Sequence, residues 1–91
     1  MGRTFRNGVG ELAPGLVLPG SYQKKLRDRL AAIEDANSPA NTEGARREAI
    51  GMVGGLELAK ALDPDQIERL YLLIEDASTA RFLELEGESG L

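Results

Sequence analysis

Apolar residues recur at helical spacing in three stretches between positions 22 and 85, and the polar and proline-rich breaks between them mark where helices should begin and end. In the first stretch, Tyr22, Leu26, Leu30 and Ile33 follow at intervals of four, four and three, which puts them on one helical face. Ser21 is a favourable N-cap, because its hydroxyl can accept from an amide that has no partner inside the first turn. Asn37-Ser38-Pro39 is a stop signal, since proline brings no amide hydrogen and disfavours the helical region for the residue before it. The first helix is predicted over about 22–36.

The second stretch places Ala45, Ala49, Val53, Leu56 and Ala59 or Lys60 on a shared face, with Asn41 or Thr42 as cap, and predicts a helix over about 43–61. Gly51, Gly54 and Gly55 interrupt it. Each glycine costs roughly 1 kcal/mol relative to alanine in a helix interior, so this cluster implies a kink or a close backbone contact. Gly51, Gly55 and Ala59 also recur every four residues, a groove of small side chains into which another helix could pack closely. Glu57 and Lys60 exclude a membrane span here.

The third helix has the clearest start. Asp63 is suited to the N-cap, Pro64 to the first helical position and Asp65 to the positive end of the dipole, while Gln66 stands at capping-box spacing. Ile67, Leu70, Tyr71, Leu73, Ile74 and Ala77 then form a wide apolar face, with Leu72 on the other side. The pattern continues through Ala80, Leu83 and Leu85 to Gly87. A helix over 64–85 would be about 33 Å long at 1.5 Å per residue.

Before these helices, five of the eleven glycines and two of the four prolines fall within residues 1–20, too many for any regular element. The expected organisation is an N-terminal arm over 1–20, flexible or docked through Leu12, Leu16, Val17 and Leu18, then one helical domain over 21–86 and a frayed tail over 87–91. The expected fold is all-α: an extended arm and three helices, the last two forming an antiparallel helical hairpin across the short Leu62-Asp63 connection.

Composition narrows the function classes. The chain has 91 residues and no Cys, His or Trp. It therefore lacks disulfides, thiolate ligands, and the side chain most used both for metal binding and for general acid–base chemistry. No catalytic, cofactor-binding or metal-binding residues are assigned, and the chain is not expected to be an enzyme. Gly8-Val9-Gly10-Glu11-Leu12-Ala13 matches a dinucleotide-binding fingerprint in letters only. That motif must join a strand to a helix, and here Pro14-Gly15 follows it. There is no signal-peptide core and no apolar run of membrane-spanning length, so a cytoplasmic location is expected, with no membrane partner.

Charge is segregated. Residues 1–29 carry six basic and two acidic side chains, net +4, whereas residues 30–91 carry five basic and thirteen acidic ones, net −8. The basic patch comprises Arg3, Arg6, Lys24, Lys25, Arg27 and Arg29. Its cations oppose the dipole of the first helix, which stability alone does not call for. A nucleic-acid-binding accessory protein using this arm and helix is the alternative reading. It is disfavoured by the acidic pI of 4.8, by the carboxylates on helix three, and by the lack of aromatic residues among the cations.

Leu70, Tyr71, Leu72, Leu73 and Ile74 nearly encircle helix three, more apolar surface than a lone hairpin covers. Together with Gly51, Gly55 and Ala59 they are the candidate helix–helix or subunit interface. The function expected is a non-catalytic protein-interaction module, a regulator, inhibitor or adaptor of a larger protein, with self-association as a homodimer.

Overall fold

The computed structural model describes residues 12, 16 and 18–89. Three helices account for most of them: α1 (Gly20–Asp35), α2 (Pro39–Leu58) and α3 (Pro64–Ser89). Among the described residues no β-strand forms. Contacts between α2 and α3 run in opposite directions along the two sequences, since Arg46 meets Glu75 while Gly54 and Glu57 meet Tyr71. That ordering makes the pair an antiparallel hairpin. The connection is residues 59–63, and α1 lies against both helices.

The hairpin turn is a Schellman motif. The Lys60 amide donates to the Glu57 carbonyl and the Ala61 amide to the Leu56 carbonyl, both at 3.0 Å. These bonds satisfy carbonyls that the end of the helix would leave open. The motif requires a left-handed residue, and Lys60 supplies it with φ 53°. This turn ends α2 at Leu58, before the 61 expected from apolar spacing.

The other boundaries differ for equally local reasons. Pro19, not Ser21, holds the N-cap position of α1, and no side chain caps that end. Instead the Gln23 side chain turns back and accepts from the Leu18 amide at 3.1 Å. Pro39 both stops α1 and opens α2, because its missing amide hydrogen is no loss at a first helical position. Ser38 is the cap in place of Asn41 or Thr42, accepting from the Asn41 amide at 3.1 Å. Thr42 lies inside the first turn, buried, its hydroxyl donating to the Ser38 carbonyl at 2.8 Å. At the start of α3 the Asp63 amide donates to the Gln66 side chain at 3.0 Å, half of a capping box. Gly87 does not end α3. Its backbone stays helical, and the helix runs on to Ser89.

The core joins all three helices and the N-terminal segment. Leu12, Leu16 and Leu18 pack with Leu26, Leu30 and Ile33 of α1, Ala49 and Val53 of α2, and Ile67, Leu70 and Ile74 of α3. Val17, also expected to dock, lies outside the described residues. Beyond Ile74 the buried stripe of α3 continues through Ser78, Arg81 and Leu85. Ser78 donates to the Ile74 carbonyl at 2.7 Å. Arg81 donates through Nε to the Ala36 carbonyl at 2.6 Å and through Nη1 to Glu84 at 3.0 Å. It thereby ties the late part of α3 to the end of α1. Leu83, by contrast, is 62% exposed, because at about 100° per residue it falls opposite this stripe.

Candidate interaction surfaces

Among the described residues three large apolar side chains are left uncovered: Leu58 at 88% exposure, Leu72 at 58% and Leu83 at 62%. Leu58 ends an unusual face of α2. Gly44, Gly51 and Leu58 are separated by seven residues each, close to two helical turns, and Gly55 and Ala59 flank them. All five are exposed. Among the described residues, a Cβ built on Gly44, Gly51 or Gly55 would meet nothing within 4 Å, so these glycines accommodate no described neighbour. Gly54 differs, since its Cβ would stand 3.7 Å from the Tyr71 hydroxyl. Of the α2 glycines, Gly54 is the one that faces α3. The helix itself is continuous through the cluster.

The candidate interface residues of α3 divide. Leu70 and Ile74 are fully buried within the chain, and Tyr71 and Leu73 are partly buried against the core. Leu72 alone of that group points outward. On the same outward face stand Leu83 and the carboxylates of Glu68 and Asp76. Leu72 and Leu83 are eleven residues apart, about three turns.

The Tyr71 hydroxyl donates to Glu57 at 3.0 Å. Burial raises the Tyr71 pKa above its ordinary value, and the neighbouring Glu57 carboxylate adds to the effect. Beside this pair an open groove of about 360 Å³ lies between the end of α2 and the start of α3. A second groove of about 420 Å³ adjoins it at Glu57, Pro64 and Ile67 and reaches to Lys60, Leu62 and Asp63.

Of the basic patch, Arg3 and Arg6 lie outside the described residues. Lys24, Lys25 and Arg29 are exposed on α1, and Arg27 is partly buried. Arg29 Nη1 reaches Glu48 of α2 at 3.1 Å, so the acidic part of the chain holds one of these cations. A second charge network lies on α2. Glu43 accepts two bonds from Arg46, both at 2.9 Å, and one from Arg47 at 3.1 Å, while Arg46 also reaches Glu75 of α3 at 2.9 Å. The Arg46 bonds lead in lowering the Glu43 pKa to about 2, and Glu43 in turn raises that of Arg46.

Among the described residues no three acidic side chains converge to hold a metal ion. No described helix is long and apolar enough to cross a membrane. Apolar counting missed both Leu58 and Arg81. The phase of Leu58 with Gly44 and Gly51 was a usable signal for the first. Nothing in the local sequence marks Arg81, whose partner carbonyl is 45 residues away. Comparison with protein-family descriptions, with curated proteins and with solved structures finds no match.

Proposed function

We propose that this chain is a non-catalytic protein-interaction module that pairs with a second copy through the outer face of α2 and regulates, blocks or recruits a larger protein. The observation that carries this reading is the α2 face itself. Gly44, Gly51 and Gly55 weaken the helix by roughly 1 kcal/mol each, and no contact among the described residues requires them. A second helix crossing at close range gives them a role, and Leu58, at 88% exposure, is the apolar anchor at its edge. A protein partner is favoured over nucleic acid because Arg29 is engaged by Glu48 and carboxylates line the outward side of α3.

In a two-fold pair the same residue contributes from both copies. Replacing Leu58 with Gln removes roughly 1.5–3 kcal/mol of burial on each side. Light scattering at tens of micromolar should give twice the 9.8 kDa chain mass for the wild type and the chain mass for Leu58→Gln. A wild type that stays monomeric at that concentration defeats the pairing.

A further inference from the structure

We infer that the groove between the end of α2 and the start of α3 binds a cationic peptide segment of a partner protein, one in which a bulky apolar side chain is flanked by Arg or Lys. The inference rests on the interaction-module reading and gives the partner's chemistry at a site separate from the α2 pairing face. The floor and wall are apolar: Ile67, which belongs to the core, Pro64, the ring of Tyr71 and the exposed Leu72. The charged residues that line the groove are Glu57, Glu68 and Glu75, and no Lys or Arg lines it among the described residues.

Charge complementarity selects the occupant. Of the three carboxylates, Glu75 already holds Arg46, and Glu57 accepts one bond from Tyr71. Glu68 is exposed beside them. An apolar side chain inserted over Ile67 and Tyr71 would cover Leu72 and bring neighbouring cations to Glu57 and Glu68. An acidic segment of equal apolar content would meet Glu57 and Glu68 as like charges. Opposed charges at such a rim contribute chiefly selectivity and salt dependence, while the apolar anchor supplies most of the affinity. The groove is open, about 360 Å³, so it suits a segment lying across it with one side chain seated, not an enclosed small ligand.

The test is fluorescence anisotropy on the full chain with a short labelled peptide that carries Phe and Leu between Arg and Lys. Two companion peptides replace either the cations with Glu or the apolar residues with Gly. The cationic apolar peptide should bind, weaken as salt is raised, and lose about tenfold or more in affinity on Glu68→Lys and on Leu72→Ser. Both substituted side chains are exposed, and circular dichroism will show whether the helices persist. Glu86→Lys, eleven residues beyond Glu75 and about 16 Å further along α3, should leave affinity within about twofold. Leu58→Gln should dissociate the pair and leave peptide binding intact. No binding, equal binding of the Glu peptide, or indifference to both groove variants overturns the inference whatever the outcome for pairing. Peptide binding lost on Leu58→Gln also overturns it, by assigning the peptide to the pairing face. Peptide binding by a wild type that is monomeric upholds the groove and defeats the pairing alone.

Discussion

Replacing Gly51 and Gly55 together with Ala should strengthen the folded chain and weaken its pairing, two effects of opposite sign from one change. Both glycines are exposed, neither Cβ would meet an atom within 4 Å, and neither has the positive φ that would oppose a side chain. The backbone gain is therefore available in full, about 1 kcal/mol per site and about 2 kcal/mol for the pair. For a domain of this size 1 kcal/mol shifts Tm by about 4–8 °C, so the double variant should melt roughly 8–16 °C higher. Pairing itself raises apparent stability, so the comparison belongs in the Leu58→Gln background at low micromolar concentration, followed by circular dichroism. Sedimentation in the Leu58 background then reports the other effect, because two added methyl groups hold the facing helices apart. A lower Tm would refute the claim that this face is open within the chain. A higher Tm with unchanged sedimentation would refute its use in pairing.

Other positions test the fold. Lys60→Gly should stabilise by about 0.5–1 kcal/mol, because a left-handed residue with a side chain is strained and glycine is not, whereas Lys60→Ala should bring no gain; thermal melts separate the two. Arg81→Met should cost about 2 kcal/mol by leaving the buried Ala36 carbonyl without its charged donor, seen as a lower urea midpoint at unchanged slope. Glu43 has a pKa depressed to about 2 by Arg46, so its contribution is complete above about pH 4.5 and disappears as pH falls toward 2. The stability gap between wild type and Glu43→Gln should narrow over that window, and a gap that widens would contradict the sign.

The helices were legible where apolar spacing and proline chemistry agree. Leu26, Leu30 and Ile33 on α1, and Ile67, Leu70 and Ile74 on α3, are buried as their intervals imply. Pro64 opens α3 as expected. Pro39 shows the limit of such signals, since one residue ends α1 and begins α2, and a stop looks the same in sequence as a start. In the second half of α3 the apolar spacing finds Leu85, which is buried, but misses the inward positions that are polar. Ser78 is buried by bonding to its own helix. Arg81 buries its stem and donates from its guanidinium to a buried carbonyl that the end of α1 leaves without a helical partner. Apolar counting preferred Ala80 and Leu83, which are exposed. On the candidate surfaces, the α2 glycines were found by spacing, but their direction was not. Only packing shows that Gly54 faces Tyr71 while Gly51 and Gly55 face outward.

Pairing through α2 is tested most directly by disulfide trapping, which the absence of native cysteine makes clean. Single cysteines at Gly44, Gly51, Gly55 and Leu58 are compared with one at Thr79, exposed on α3. A disulfide forms only where the two Cα atoms come within about 7 Å. Under mild oxidation at tens of micromolar, at least one α2 position should yield covalent dimer in high yield, and Thr79→Cys should not. Equal trapping at Thr79, or none at any α2 position, would contradict the account.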